Sequence, residues 1–446
     1  MNEYASYIAN LNGKTNVTAT QDIVTEKGML LAKAGTVFSD KTYDSLLNFK
    51  LMKPLEDSIF LEFQLNPKSI YAQIIERVEN DSSLRYIQKA LRDHSVLKKC
   101  CARLKQFPIL LQKLTVLDME LTDIFSQSLI SAYCAHAIAL FKRQPQETID
   151  DYFLAGILHD VGLLHIDRYI LTKKETLSAD EWRKVQSHPV IGYQIVKSLA
   201  GFPKRAAIAI IEHHEKTDGS GYPRSKKGES LSDLGQLISL LDNVIVIYNR
   251  KLKPIKRRMS SIMPILQINM HSYFPSAVSS TFQLLKQIPT ITTEVHVEPE
   301  MLEALIRYVQ ALKAYINKLD GIIQYANHEL GLKHENKTIY SIQNEGNNIN
   351  FIMRCAGLSL DDSLSWDKPA TDETTQALYI EVDDIRLLLE EIVYNLNSYQ
   401  KSINIYTDQH PDSKYTAYIN TVLDVFTQLE MPTPNETMQR HWKSLG

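Results

Sequence analysis

The sequence predicts a mainly α-helical protein with a small β-containing segment at its N-terminus and an extension of long helices at its C-terminus. Residues 16–38 alternate short apolar runs with turn residues, which is typical of short strands. Residues 119–290 follow a helical pattern, and apolar residues beyond position 300 repeat at spacings of three and four. With 446 residues, 44% apolar and 23% charged, the chain can form several folded domains.

We predict four segments along the chain. In the first segment, Gly28 and Gly35 stand where tight turns need them, so we expect two or three small strands there. Ser39 can cap the helix that follows. The segments are a small N-terminal β/α segment (1–60), a helical connecting region (61–118), a helical bundle that carries the chemistry (119–290) and a heptad-containing helical extension (291–446).

The connecting region and the bundle are punctuated by proline and by two loops. Residues 67–118 predict several short helices, with Pro67 at a helix start and Pro108 as an interruption. Within the bundle we expect loops at 162–178 and 216–234.

Two heptad-like seams run through the C-terminal extension, separated by the polar stretch 344–348 and the loop-like stretch 363–375. An intramolecular helical hairpin and a dimeric coiled coil both explain them. The hairpin is favoured, because long helices in globular proteins often show such stretches by packing alone. The seams consist of Leu302, Leu305, Val309, Leu312, Ile316, Leu319 and Ile323, and of Leu378, Val382, Ile385, Leu389, Ile392, Leu396, Tyr399 and Ile403.

Charge and composition exclude some classes of protein. The net charge is −3, so no overall basic field exists to bind long nucleic acid. No charged start followed by an apolar run suggests a signal peptide, and no stretch approaches the ~20 apolar residues of a membrane span. We expect a soluble cytoplasmic protein. The cysteines form no CxxC pair, which fits a reducing compartment; they are Cys100, Cys101, Cys134 and Cys355.

Six residues with metal-ligand chemistry follow or close helical runs. Apolar neighbours imply that they are partly buried, and buried polar groups that converge need a cation more than each other. Imidazole and carboxylate suit iron, manganese, zinc and similar ions, and helical bundles build dinuclear sites from such side chains. Alone, each dipeptide is common; their joint order and spacing favour a metal site. The residues are His159, Asp160, His188, His213, His214 and Asp242.

The same residues suggest how two divalent ions are shared. We expect Asp160 to bridge them, with His159 and Asp242 holding one ion. We expect the other ion to be held by His188 together with the 213–214 histidine pair. Two ions can activate a water between them and clamp a phosphate for in-line attack, so Asp160 and His159 are the residues expected to be essential for catalysis.

A glycine-containing loop follows the histidine pair. Gly219 and Gly221 allow the backbone to approach a ligand closely and to present its amide donors. Tyr222 can stack on a base or donate to a phosphate. An ordinary glycine-rich turn is the alternative, and the neighbouring metal-ligand residues favour a substrate loop.

Four motifs between residues 159 and 229 resemble the signature of the HD-GYP family. The resemblance implies an HD-type helical bundle over 119–290 that hydrolyses cyclic di-GMP or a related cyclic dinucleotide with two or three metal ions, iron, manganese or similar. Residues 16–60 also look like the small piece found ahead of some HD-GYP domains. The motifs are HDVG (159–162), HPVIG (188–192), HHEKTDGSGYP (213–223) and KGE (227–229).

The chain departs from the family pattern at three positions. Leu163 replaces the usual lysine after the HD pair, Gln127 replaces an upstream histidine ligand, and Ile245 replaces a second aspartate. Asp123, one turn before Gln127, stands where trinuclear members have an acidic ligand. His136 is the nearest upstream histidine but lies off the expected spacing, so a core histidine is the favoured interpretation.

Two basic residues keep the family's later spacing. Arg250 and Lys253 are candidates for contacting a phosphate or a guanine, and a solvated basic loop is the alternative. His165 is interpreted as a loop or core histidine.

These observations support three functional hypotheses. The first is a metal-dependent cyclic-dinucleotide phosphodiesterase. The second is a degenerate domain that senses the dinucleotide or contacts a partner protein without turnover, which Gln127, Leu163 and Ile245 favour. The third keeps the fold but acts on another phosphoester. We expect a cyclic dinucleotide as ligand, neither long nucleic acid nor membrane as partner, and a homodimer through the C-terminal helices as an open alternative.

Overall fold

A computed structural model describes residues 3–91, 95–175, 177–289, 297–331, 336–355 and 372–445. Within these ranges the protein is mainly helical, as predicted, with four short strands. The helices are α1 (Glu3–Ala9), α2 (Asp40–Asn48), α3 (Pro67–Asn80), α4 (Ser82–Ala90), α5 (Ser95–Arg103), α6 (Pro108–Glu120), α7 (Thr122–Phe141), α8 (Gln146–Leu158), α9 (Arg168–Thr172), α10 (Ala179–Val185), α11 (His188–Lys197), α12 (Lys204–Glu212), α13 (Asp233–Ile247), α14 (Met263–Asn269), α15 (Pro275–Leu285), α16 (Pro299–Leu330), α17 (Lys337–Cys355), α18 (Asp372–Gln409), α19 (Thr416–Gln428) and α20 (Glu436–Leu445).

The chain divides into two compact units. The first comprises Met1–Val246 and Ser272–Ile288, and the second comprises Ile247–His271 and Pro289–Gly446. The four segments expected from the sequence stay a prediction.

The N-terminal segment of the first unit forms two small antiparallel pairs. Its strands are β1 (Val17–Ala19), β2 (Ile23–Val24), β3 (Leu30–Ala32) and β4 (Ile59–Leu61). β1 pairs with β4, and β2 pairs with β3. Gly28 and Gly35 have φ of 79° and 83°, which glycine adopts readily, so the predicted turns and the three strands within residues 16–38 are confirmed. β4 was not predicted, because a three-residue apolar run carries too little periodicity.

Two prolines mark helix starts in the connecting region. Pro67 begins α3, whose N-cap Asn66 accepts hydrogen bonds from two backbone amides of the first turn. Pro108 begins α6 and does not interrupt a helix as expected. A proline at the first helical position loses no hydrogen bond and has its φ already set, so it starts a helix as readily as it breaks one.

Helices α7 and α8 form the buried centre of the first unit. Gly156 on α8 lies against the backbone of Ala132 on α7, where an added Cβ would be 2.7 Å from the Ala132 Cα. Contrary to the sequence-based expectation that no stretch approaches a membrane span, α7 is, among the described residues, the one helix long and apolar enough to do so, and 72% of the qualifying window is buried inside the protein. This is the environment of a core helix. Because α8 is held so closely, its C-terminal end is a rigid base for the residues that follow.

The second unit is built on α16 and α18. Residues of both predicted seams share one hydrophobic core, which α17, α19 and α20 complete. The residues of the two seams therefore pack against each other within one chain, as in the hairpin alternative. Homodimerisation stays a prediction. Residues 363–371 of the expected loop lie outside the described residues, and α18 begins at Asp372.

Candidate metal centre

Four helices of the first unit deliver the six candidate ligands. His159 and Asp160 follow the last turn of α8, and Asp242 lies within α13. The 213–214 histidine pair follows α12. His188 is the first residue of α11 and does not end the preceding helix. The reason is Pro189, which is favoured in the first turn of a helix.

Asp160 lies at the centre of the cluster. Its Oδ2 is 3.2 Å from His159 Nε2, and its Oδ1 is 3.2 Å from His188 Nε2 and 3.7 Å from His213 Nε2. On the other side, His159 Nε2 is 3.7 Å from Asp242 Oδ1. Each carboxylate oxygen of Asp160 thus faces a different set of imidazoles, and a bridging role for Asp160 stays a prediction.

The ligand atoms fall into two groups that share Asp160. Within each group the atoms lie within 4.8 Å of one another. One group is His159, Asp160 and Asp242; the other is Asp160, His188, His213 and His214. The sequence analysis assigned the same two sets of residues to two ions, and the binding of ions there stays a prediction.

The hydrogen bonds of three histidines fix which ring nitrogen faces the cluster. Nδ1 of His159, His188 and His213 lies 2.8, 2.7 and 2.6 Å from the carbonyl oxygen three residues earlier. A carbonyl oxygen only accepts, so each Nδ1 carries the proton and donates it. In the neutral imidazole, Nε2 is then a bare lone pair pointing into the cluster. Metal-ligating histidines are commonly oriented by a hydrogen bond of this kind.

These lone pairs face one another and the carboxylates. His188 Nε2 and His213 Nε2 are 3.1 Å apart, and His159 Nε2 is buried with no hydrogen-bond partner among the described residues. The side chains of His159 and His213 are fully buried, so water cannot relieve this arrangement. Acceptors that converge in a buried space need a cation between them. The residues present therefore fit divalent metal ions of the class that binds imidazole and carboxylate.

The electrostatics of the cluster suit metal binding. Burial alone would raise the pKa of Asp160, but the neighbouring His159 holds that pKa well below its ordinary value, so the carboxylate is ionised. Burial lowers the pKa of His213 and of His214. For His214, the charge of the neighbouring His213 lowers the pKa further. Burial would also lower the pKa of His159, but Asp160 raises it well above the ordinary value. A metal ion at His159 would take the place of that proton.

The weaker ligand candidates lie on α7. Asp123 is exposed and lies outside both groups of ligand atoms. Gln127, one turn later, is half-buried, and its part in metal binding stays a prediction. His136 is buried with its Nδ1 3.7 Å from the Cys100 Sγ, as expected of a core histidine.

Two buried glutamates that the sequence analysis did not single out anchor the glycine-containing loop. The Glu215 carboxylate accepts hydrogen bonds from the backbone amides of Arg224 and Lys226 at 2.7 and 3.0 Å. Glu212 pairs with the Lys226 ammonium at 2.6 Å and accepts from the Ser232 amide at 2.8 Å. Burial raises the pKa of Glu215, and the two amides oppose that rise. In the sequence, the acidic residues directly before and directly after the histidine pair could have indicated this role.

The loop itself folds back on the histidine pair. Gly219 has a φ of 81°, and a Cβ at Gly221 would lie 2.4 Å from the His214 carbonyl oxygen, so both positions need glycine. The Tyr222 amide donates to that same oxygen at 3.0 Å. The Tyr222 ring stacks on the His214 imidazole with 4.7 Å between centroids, beside the cluster.

Two of the three departures from the family pattern are apolar and buried. Leu163 packs with Ile166 and Ile170 in a small hydrophobic cluster, and Ile245 is buried in α13. Arg250 and Lys253 belong to the second unit, where the Lys253 ammonium lies 6.0 Å from the centroid of the Tyr248 ring. Their role toward a substrate stays a prediction.

Comparison with known proteins agrees with this geometry. Residues 109–292 match the family model of the HD domain. The chain is 30% identical over 142 residues to the 3′3′-cGAMP-specific phosphodiesterase 3 of Vibrio cholerae, covering 32% of this chain and 31% of that protein. It is 29% identical over 139 residues to a cyclic di-GMP phosphodiesterase of Thermotoga maritima, covering 31% and 38%. It is 34% identical over 112 residues to a cyclic di-GMP phosphodiesterase response regulator of Xanthomonas campestris, covering 24% and 30%.

The matched part spans roughly a third of the length of each of these relatives. The HD-domain match over residues 109–292 includes all six residues of the cluster. Residues 109–292 are therefore similar to HD domains, and part of the chain is similar to proteins named as cyclic di-GMP or 3′3′-cGAMP phosphodiesterases.

Proposed function

We propose that this protein is a metal-dependent phosphodiesterase that hydrolyses a cyclic dinucleotide, with cyclic di-GMP as the first candidate. The observation that carries the proposal is the convergence of the Nε2 atoms of His159, His188 and His213 on the buried Asp160 carboxylate. The relatives' names, which mention cyclic di-GMP or 3′3′-cGAMP, support the substrate class.

In this proposal the two groups of ligand atoms hold two ions. His159 and Asp242 would hold one, the remaining three histidines would hold the other, and Asp160 would be shared between them. Bound divalent ions would supply an activated water and neutralise charge on the phosphate. Backbone carbonyl oxygens accept hydrogen bonds from Nδ1 of His159 and His188, so Nε2 is the ring nitrogen available to a metal ion. Gln127 and Asp123 are candidates for a further ion.

The substrate side is assigned to the loop. Gly219 and Gly221 are the proposed positions at which a phosphate meets backbone amides, and Tyr222 offers a ring and a hydroxyl beside the cluster. Arg250 and Lys253 are the proposed contacts to a phosphate or guanine. Leu163 carries no positive charge, unlike the lysine usual at this position. The metal ions would therefore have to stabilise the negative charge of the substrate phosphate. We place the protein in the cytoplasm.

A non-catalytic sensor is the second candidate function. It is favoured by the buried hydrophobic cluster around Leu163, at the position where the family usually has a lysine. A domain that binds the dinucleotide but cannot stabilise the charge that develops during hydrolysis would act as a receptor.

The test is hydrolysis of two cyclic dinucleotides by the full chain. Protein loaded anaerobically with Mn²⁺ or Fe²⁺ is mixed with cyclic di-GMP or 3′3′-cGAMP, and linear products are separated by chromatography. We expect turnover by the wild type and a loss above about 100-fold in His188→Gln. His328→Gln, at an exposed histidine of α16, is the matched control and should retain activity. Tight binding without turnover by the metal-loaded wild type would support the sensor, and neither binding nor turnover would contradict both candidates.

A further inference from the structure

The N-terminal segment holds the chain immediately after the Asp160 ligand. Residues 161–165 form a 3₁₀ turn that begins directly after Asp160. The Tyr7 hydroxyl donates to the Ile166 carbonyl oxygen at 2.9 Å, and the Tyr4 ring stacks on the His165 imidazole at 5.5 Å with 15° between planes. Both tyrosines are buried, so these contacts are shielded from water.

A buried ion pair reinforces the same turn. The fully buried Lys113 ammonium on α6 lies 2.9 Å from the Glu56 carboxylate and 3.1 Å from His165 Nε2. It also lies 4.1 Å from the centroid of the Tyr4 ring, close enough for a cation–π contact. Burying an ammonium group is costly unless it is paired and hydrogen-bonded. Here the ammonium has a carboxylate, an imidazole nitrogen and an aromatic ring as partners. We call Tyr4, Tyr7, Glu56, Lys113 and His165 the brace.

The protonation state of His165 agrees with this geometry. Burial and the Lys113 charge lower the pKa of His165 to about 4. The imidazole is therefore neutral near pH 7 and can accept a hydrogen bond from the ammonium through Nε2. The brace is thus a satisfied network that spans α1, the N-terminal β segment, α6 and the 3₁₀ turn.

The 3₁₀ turn is also in direct backbone contact with the helix of another ligand. A Cβ at Gly162 would lie 2.1 Å from the His188 carbonyl oxygen and 2.8 Å from the Gly192 amide nitrogen. Closely packed backbone of this kind moves as one body. The brace therefore holds one end of a rigid turn whose other end adjoins both Asp160 and His188.

We propose that Lys113, together with Glu56 and His165, is a positioning group that sets the distance between the Asp160 and His188 ligand atoms. Metal affinity then depends on how the N-terminal segment packs against the 3₁₀ turn, although no residue of that segment is a candidate metal ligand. This inference rests on the proposed metal-dependent function. Residues that support metal ligands indirectly change metal affinity by about 10–100-fold when they are lost.

The test is metal binding by the full-length Lys113→Met variant. We expect Mn²⁺ affinity at least about tenfold weaker than in the wild type and a shifted absorption spectrum of bound Co²⁺, since the ligand geometry changes. Lys14→Met is the matched control. It removes a half-exposed cation that also ties the N-terminal segment to α6, through Glu120 at 2.6 Å, and should leave both readouts unchanged.

A second variant separates positioning from stability. Glu56→Gln combined with Lys113→Met removes the unpaired buried carboxylate, so it should recover resistance to urea but not metal affinity, because His165 still lacks its donor. Unchanged affinity and spectrum in Lys113→Met, or affinity that recovers together with stability in the double variant, would overturn the inference. A wild type that binds no metal would instead overturn the proposed function, and this inference with it.

Discussion

Replacing Gly162 with alanine tests how tightly the turn after Asp160 is packed. The added Cβ would lie 2.1 Å from the His188 carbonyl oxygen, whereas even close carbon–oxygen contacts are about 3.3 Å. The turn and α11 must therefore separate by about 1 Å. Overpacking of this kind typically costs about 1–3 kcal/mol. The Asp160 Oδ1 to His188 Nε2 distance, now 3.2 Å, would change with it, so metal binding should weaken together with folding stability.

The assay is urea unfolding of the metal-free protein combined with Mn²⁺ titration. Gly321→Ala is the matched control, because Gly321 lies in α16 with no atom within 4 Å of an added Cβ. That substitution should leave metal affinity unchanged and stabilise its helix by up to about 1 kcal/mol. If Gly162→Ala unfolds at the wild-type urea concentration and binds Mn²⁺ with wild-type affinity, the close contact between the turn and α11 is refuted.

Three further predictions concern pH, the loop and the second unit. The folded chain holds the pKa of His165 at about 4 and the unfolded chain does not, so stability falls as pH drops from about 6.5 toward 4, by roughly 2 kcal/mol at pH 5. In urea unfolding at several pH values, His165→Gln should remove this part of the loss of stability at low pH. If the free energy of unfolding depends on pH in the variant as it does in the wild type, the lowered pKa of His165 is contradicted. Glu215→Gln weakens two charge-assisted hydrogen bonds of the loop, so KM for the dinucleotide should rise while metal content stays constant; an unchanged KM would count against the loop as substrate site. A charged residue at Leu312 or Leu389, both buried, should cost more than about 3 kcal/mol. Unchanged helicity by circular dichroism and unchanged size in solution would refute that burial.

Much of the fold could be predicted because its signals are local. Helical periodicity predicted the bundle, and positive-φ glycines at positions 28 and 35 marked the turns between the small strands. The signals failed where the outcome depends on context. Pro108 begins α6 instead of interrupting a helix, and β4 is a strand only because β1 pairs with it across the segment.

The candidate ligands could be named from the sequence because residue type and spacing are their signature. What supports them could not, because those contacts join segments far apart in the chain. The Tyr7 hydroxyl reaches a carbonyl oxygen 159 residues away, and Lys113 pairs with Glu56 across 57 residues. A buried lysine is also counter to expectation, since lysine is almost never fully buried unless it is paired. Glu212 and Glu215 were adjacent to the motif, but only the folded loop shows which amides they accept from.

The central claim is that Asp160 is shared by two ions, and counting metal per chain tests it most directly. The wild type and Asp160→Ala are purified anaerobically, loaded with Fe²⁺ or Mn²⁺, freed of excess metal and analysed by mass spectrometry of the elements. The account predicts about two ions per wild-type chain, or three if α7 contributes a further ligand, and at most about one in Asp160→Ala. A wild type without bound metal, or an Asp160→Ala variant with the same metal content as the wild type, would contradict it.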